Sequence, residues 1–238
     1  MNEVMNRFNV EDIDIFKGLK AKTLEGLQKK ARVAEYKKGD YLFFNKDKID
    51  EVYFIVSGKV TLYRYTQKCQ KRIIYILGEQ EFINEVIFDN LPSSINAEAF
   101  EKTVVVKYNV EDFREMMAGD FHLAERIINS LGRKVRRLYR QIKNTVPISL
   151  DRKVAAKLWK LSRDYGVPSG DESGGCEESD WYYIDLKITI TYLADMLGSS
   201  REAISREMKK LENIKMIKWS GRKLYVKKQG LSDYFKKE

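Results

Sequence analysis

The sequence predicts an α+β chain built as a β-roll or barrel, then one long helix, then a helix-turn-helix followed by a two-stranded wing. Three observations carry this. Between residues 31 and 108, short stretches rich in β-branched and aromatic residues are separated by turn signals. Between residues 121 and 142, apolar residues recur at spacings of 3 and 4 over three heptads. Between residues 189 and 226, two helical patterns flank a glycine and a strand-turn-strand pattern follows.

The β stretches are VYFIVSGKVTLYRY (52–65), broken at Ser57-Gly58, then RIIYIL (72–77) and TVVVKY (103–108). Gly39-Asp40, Gly78-Glu79 and Leu91-Pro92-Ser93 mark turns. Before them, residues 21–30 read as a helix.

The heptad seam consists of Phe121, Ala124, Ile128, Leu131, Val135, Leu138 and Ile142. β-Branched residues at the later a positions (Ile128, Val135, Ile142) with leucine at d (Leu131, Leu138) favour a parallel two-stranded coiled coil. The competing reading is a helix packed on its own domain, which wants a wider apolar stripe. Pro147 closes the segment, and Ser149 is placed to cap the next helix, 150–165. GVPSGDESGGCEESD (166–180) reads as an exposed acidic loop. Its Cys176 is read as a solvent-exposed thiol ahead of a redox sensor.

With 238 residues the chain has room for one large or two modest domains. No apolar run is long enough to span a membrane, and the N-terminus lacks the shape of a signal peptide, so a cytoplasmic location is expected. Two distant cysteines, Cys69 and Cys176, and a single histidine, His122, supply neither a four-cysteine cluster nor a multi-histidine metal site. His122 reads as a partly exposed structural residue. No catalytic constellation is visible, which argues against an enzyme, and no cofactor is expected. The net charge is +9, and it is clustered: residues 121–145 hold seven Lys/Arg against one acid, and residues 181–238 thirteen against seven. Clustered positive charge favours a polyanionic partner over a merely solubilising surface.

The most informative stretch is LGSSREAISREMKKL (197–211). Thr189 caps a helix over 190–197 with Leu193, Ala194 and Leu197 inward. Gly198 makes the turn, and Ser199 caps a second helix from 200 to 213. On a helical wheel Ile204, Met208 and Leu211 form the buried stripe. Glu202, Arg206 and Lys209 fall opposite it, with Ser205 beside them and Arg201 in the first turn. This is the layout of a helix that meets base edges in a major groove, where arginine forks onto guanine and glutamate accepts from cytosine. MIKWSGRKLYV (216–226) reads as the wing, with Lys218, Arg222 and Lys223 near phosphates. Two alternatives stay open. Ser199-Ser-Arg-Glu202 also fits a capping box, and a charged helix face is commonly just solvated.

The order of parts resembles the Crp/Fnr family of bacterial transcription regulators. The likeness runs from KGDY (38–41) through YFIVSGKV (53–60) to LGSSREAISR (197–206) and the wing. It implies a double-stranded β-helix (jelly-roll or β-roll) sensor of the cyclic-nucleotide-binding type over residues 1–118. A dimerisation helix over 119–145 and a DNA-binding winged helix-turn-helix over 146–238 follow. It implies a homodimer on near-palindromic double-stranded DNA, with RNA polymerase as a further partner. Arg201, Glu202, Ser205 and Arg206 would read bases, and Thr189, Ser199, Ser200, Lys209, Lys218, Arg222 and Lys223 would contact phosphates.

In cyclic-AMP-binding members a Gly-Glu pair and a later arginine hold the nucleotide. Here the matching stretch is EFINEVIFDNLPSSIN (81–96), with Asn84 in place of the glycine, Glu85 kept, and Ser93 or a neighbour in place of the arginine. No arginine lies between Arg72 and Arg114, so a cyclic phosphate would lack its charge-assisted fork. The expectation is therefore an unidentified small-molecule effector, not cyclic AMP, near Asn84, Glu85, Ser93 and Ser94 and bounded by Leu131 or Val135. A protein with no effector is the other possibility. The competing functional reading is a cyclic-nucleotide-responsive signalling module whose basic half docks protein or RNA.

Overall fold

The computed structural model describes residues 9–67, 69–143, 149–169 and 180–236. The chain separates into two compact units, Met1–Thr66 with Ile73–Asn144, and Gln67–Arg72 with Thr145–Glu238.

Among the described residues the first unit is built on seven strands: β1 (Arg32–Tyr36), β2 (Tyr41–Phe43), β3 (Glu51–Ser57), β4 (Val60–Tyr65), β5 (Lys71–Leu77, its first two residues falling in the second unit), β6 (Asn96–Ala99) and β7 (Thr103–Asn109). They form two sheets, β1-β7-β3 and β2-β6-β4-β5. Among the described residues three α-helices accompany them: α1 (Ala21–Lys30), α2 (Val110–Gly119) and α3 (Phe121–Lys143). Successive side chains of a strand face opposite sides, and in β3 both sides are covered. Val52 and Phe54 join a core with Phe16, Phe82, Phe113 and the α3 residues Leu123 and Ile127. Tyr53 and Ile55 join a second core with Val60, Leu62, Ala97 and Val105. That is why 52–55 reads as an unbroken apolar run and not as an alternation.

Asp120, between α2 and α3, ties three elements together. Its carboxylate accepts from the backbone N–H of Lys20 at 2.8 Å and of His122 at 3.2 Å. Burial pushes its pKa up, but those N–H groups and the Thr23 hydroxyl outweigh burial and hold it below the usual carboxylate range.

The second unit contains α4 (Leu150–Tyr165), β8 (Gly166–Pro168), β9 (Trp181–Ile184), α5 (Ile190–Leu197), α6 (Arg201–Asn213), β10 (Ile217–Ser220), β11 (Lys223–Lys227) and α7 (Lys228–Lys236). The strands form one antiparallel sheet, β10-β11-β9-β8. Residues 166–168, expected as loop, form an edge strand paired with β9. Tyrosines and a tryptophan in β9 supply the pairing surface that the acidic run hid from view. Cys176 and most of that run lie outside the described residues. Ser149 precedes α4 but its side chain makes no capping bond; its hydroxyl instead serves the Asp151 carboxylate.

Candidate nucleic-acid interface

Thr189 caps α5 as expected, its hydroxyl accepting from Tyr192 N–H at 3.1 Å. Leu193, Ala194 and Met196 are buried. Leu197 is half-buried, so Met196 takes the inward place expected of Leu197. Gly198 then turns the chain in the left-handed region, at φ +63°, a conformation that costs glycine nothing and other residues strain.

The cap of α6 is Ser200, not Ser199: the Ser200 hydroxyl accepts from Ala203 N–H at 3.2 Å. With the cap one residue later, Glu202 falls at the second helical position, and the capping box from Ser199, one of the two alternatives, does not form. The Glu202 carboxylate still serves the helix start. Its own backbone N–H and the Ser200 hydroxyl bond to it, with Arg201 and Arg206 nearby, and hold its pKa below the usual range.

Ile204, Met208 and Leu211 are buried and anchor α6. Arg201, Glu202, Arg206 and Lys209 are exposed on its other side, and Ser205 is half-buried beside them. Leu211 follows Ile204 by seven residues, two helical turns, so one buried stripe fixes the rotation of the helix. The charged face is thereby presented to solvent as a fixed array.

The wing follows. Ser220 pairs with Lys223 across a two-residue turn, Gly221-Arg222, with Gly221 at φ +57°. Lys218, Arg222 and Lys223 are exposed. Aromatic rings hold the ammonium groups on the outer face of the sheet. Lys218 Nζ lies 4.5 Å from the Trp181 ring centre and 5.5 Å from that of Tyr225. Lys223 Nζ lies 5.0 Å from Tyr183, and Lys227 Nζ 5.4 Å from Trp181. Sequence reasoning missed Trp181, Tyr183, Tyr225 and Lys227. The signal was the period-two pattern in KLYVK (223–227), with Leu224 and Val226 inward and cations and ring outward.

Of the residues expected around an effector, Asn84, Glu85 and Ser93 make contacts with the protein itself. Asn84 is buried, accepts from Tyr53 N–H at 2.9 Å and donates to Glu51 O at 2.8 Å. It splices the chain to β3. Glu85 is 1% exposed. One of its oxygens accepts from the Ser130 hydroxyl at 2.6 Å, and the other is ion-paired with Lys134. Lys134 also donates to Phe82 O at 2.8 Å. Ser93 donates to Ile95 O at 2.8 Å. Ser94 and Val135 are exposed and Leu131 is half-buried. The six residues thus lie in unlike surroundings, with the polar atoms of Asn84 and Glu85 taken up by the protein itself. Ser130 and Lys134 went unnoticed in the sequence. Their signal was polarity at positions that continue the Leu123–Ile127 line along α3.

Along α3 run two stripes, one buried and one exposed. Leu123, Ile127 and Ser130 are at most 4% exposed and face the roll. Phe121, Ile128, Val135 and Leu138 are 70, 59, 40 and 40% exposed. Ala124 and Leu131 are half-buried, and the Ile142 side chain lies outside the described residues. His122, at the head of α3, is exposed beside Glu125. Among the described residues no cluster of His, Cys, Asp and Glu suits a metal. No described helix is long and apolar enough to cross a membrane.

Comparison with known proteins bears on both units. Residues 33–120 match the family model for a cyclic nucleotide-binding domain, and residues 152–233 that for a Crp-like helix-turn-helix domain. The chain is 22% identical over 227 residues to a CRP-like cAMP-activated global transcriptional regulator of Mycobacterium tuberculosis, covering 95% of each. It is 23% identical over 199 residues to a global nitrogen regulator of a Nostoc species, covering 82% of this chain and 85% of that one. Its fold matches that of FixK2 from Bradyrhizobium japonicum with a TM-score of 0.71 at 18% identity, over 85% of this chain and 96% of that one. Two family models in this order, a cyclic nucleotide-binding-type roll and a Crp-like helix-turn-helix, are those of DNA-binding regulators and not of enzymes. The chain belongs to the Crp/Fnr family of transcription regulators.

Proposed function

We propose that the protein is a homodimeric, sequence-specific DNA-binding regulator that reads a near-palindromic site through α6. The observation that carries this reading is the fixed charged face of α6, held outward by the buried Ile204, Met208 and Leu211. Arg201 and Arg206 fork onto guanine O6 and N7, Glu202 accepts from cytosine N4, and Ser205 adds a hydroxyl contact. Thr189, Ser199, Ser200, Lys209, Lys218, Arg222 and Lys223 position the chain on phosphates.

The dimer closes along Phe121, Ala124, Ile128, Leu131, Val135, Leu138 and Ile142. What supports this is the second apolar stripe of α3, exposed in the protomer although the helix has already met its own core. In such a dimer the two reading helices sit about 34 Å apart, one turn of the duplex. RNA polymerase is the further partner that family membership suggests.

Control by a ligand takes the form of a population shift between spacings of the two helices. The Mycobacterium tuberculosis relative is described as cAMP-activated. For this chain the reading is different. Residues 73–113 contain no arginine to fork onto a cyclic phosphate, and Glu85 already has a cation. An effector that reaches Glu85 has to displace Lys134 and Ser130.

The test is selection of bound sequences from random duplex DNA, followed by the same selection with Arg206→Ala. The variant is expected to relax one position in each half-site, at about 1–3 kcal/mol. An unchanged sequence preference removes Arg206 from base reading. Failure to enrich any sequence removes the DNA-reading proposal altogether.

A further inference from the structure

A third face of α3 lies outside both the buried stripe and the proposed seam, and on it Arg126 is tied to the rest of its unit, donating to Lys17 O at 3.3 Å. Arg126, Asn129, Arg133, Arg136 and Arg140 recur at spacings of 3, 4, 3 and 4, which on a helix makes a third stripe. With Ile15 of the N-terminal segment, the first four line a surface groove of about 300 Å³.

Its cations are uncompensated along the helix. The neighbours of Arg133 three and four positions away are Asn129, Ser130, Arg136 and Arg137, and those of Arg136 are Gly132, Arg133, Tyr139 and Arg140. Like charges at these spacings destabilise a helix. Arg137, one position off the stripe, has an acidic partner in Glu81, with Oε1 at 3.6 Å, and lies 6.0 Å from the Tyr75 ring.

The residue type is also selective. The chain holds 29 lysines and 15 arginines, yet residues 121–143 hold five arginines and two lysines. Arginine's planar fork suits phosphate and carboxylate oxygens, whereas for solubility alone lysine serves equally well. Arg126 and Arg133 are two turns apart, about 10 Å along the axis, and Arg136 is about 5 Å beyond. A single phosphate spans only one of these intervals; a chain of phosphates spans both. Asn129, between the arginines, offers an amide donor, and Ile15 offers an apolar wall.

We propose that this groove binds an oligophosphate, free or carried on a nucleoside, through Arg126, Arg133 and Arg136. The site is separate from the DNA-reading face and does not depend on that face being correctly assigned. An anion bound there removes the repulsion along α3, so it stiffens the helix that also carries the exposed apolar seam.

The experiment is calorimetric titration of the full-length protein with tripolyphosphate, and in a second arm with ATP, at matched ionic strength. Melting temperature is followed in parallel. Three variants are compared with wild type: R133Q/R136Q, R133K/R136K, and R206A/K223A, which alters the DNA face. The expected result is saturable binding at one site per protomer with a raised melting temperature. Affinity falls at least tenfold in R133Q/R136Q, falls less in R133K/R136K, and is kept in R206A/K223A. These substitutions lie on exposed positions, and circular dichroism verifies that each variant is folded. Binding of tripolyphosphate alone identifies the free chain as the ligand, and equal or tighter binding of ATP identifies the nucleoside form. The proposal is overturned by non-saturating binding, by R133Q/R136Q binding as wild type does, or by loss of binding in R206A/K223A.

Discussion

Two glutamates, one in each unit, both keep company with cations, and they differ in how much of their charge the protein itself consumes. Glu85 is sealed beneath α3, with one oxygen on Ser130 and the other on Lys134. Glu202 stands in solvent at the start of α6, bonded to its own N–H and to Ser200, with Arg201 and Arg206 beside it. A buried carboxylate has to be matched completely where it stands, because an unmatched one is expensive in a dry interior. An exposed one is matched loosely by the helix end and by water, and so keeps acceptor capacity for a partner. The same residue type therefore marks a joint in the roll and a proposed reading position on α6. What separates them is burial, which a single sequence position does not declare.

The sharpest way to break this comparison is to remove the cation from the buried cluster. Lys134→Met leaves Glu85 with the Ser130 hydroxyl but no counter-charge. Breaking one side of a buried pair costs about 3–5 kcal/mol, and that loss is expected in urea or thermal unfolding of the full-length protein. Glu85→Gln combined with Lys134→Met removes the stranded charge and is expected to recover most of the stability. A loss below about 1 kcal/mol in the single variant would mean that Glu85 is hydrated, and the contrast with Glu202 would collapse.

The next test uses the opposite face of the same helix. Val135 is one residue beyond Lys134 but points away from the roll and is 40% exposed in the protomer. Val135→Asp should leave the protomer folded and place two unpaired carboxylates against each other in the proposed seam. At about 3 kcal/mol or more for burying such charge, the dimer dissociation constant is expected to rise at least about a hundredfold. Sedimentation velocity across a concentration series measures it. An unfolded protomer would assign Val135 to the roll's own packing, and an unchanged dimer would move the interface elsewhere.

How much of this could be read beforehand follows the same division. β3, β4, β5, β7, α3 and α5–α6 were legible because each rests on a local pattern: runs of β-branched and aromatic residues, helical spacing of apolar residues, a glycine between two helical patterns. The buried stripe Ile204, Met208 and Leu211 fell where the wheel put it. What escaped were contacts between residues distant in sequence. Lys134 and Glu85 are 49 residues apart, and nothing in either neighbourhood names the other. So the sequence placed Glu85 near an effector without showing that Ser130 and Lys134 bind it. The edge strand at 166–168 escaped for a related reason: its pairing partner lies beyond the glycine- and glutamate-rich run. The cap at Ser200 shows the finer limit, since two adjacent serines both satisfy the capping rule and only backbone geometry chooses between them.

That choice gives the smallest and most specific test. Ser200→Ala removes the acceptor for Ala203 N–H, and loss of such a cap costs about 0.5–2 kcal/mol. It also removes the hydroxyl that helps hold the Glu202 carboxyl low. A carboxyl whose folded pKa lies below its unfolded value, about 4.3, adds stability above that pH and loses it as pH falls through the folded value. The difference between wild type and Ser200→Ala should therefore be full near neutrality and shrink as the solution is acidified below about pH 4. The Ala203 part of the cap does not titrate and should persist. Unfolding curves of both proteins between neutral pH and pH 3 separate the two parts. A difference that stays flat over that range would leave Ser200 as the cap of Ala203 alone. Glu202 would then owe its ionised state to its own N–H and the flanking arginines, as free to accept from a base without Ser200 as with it.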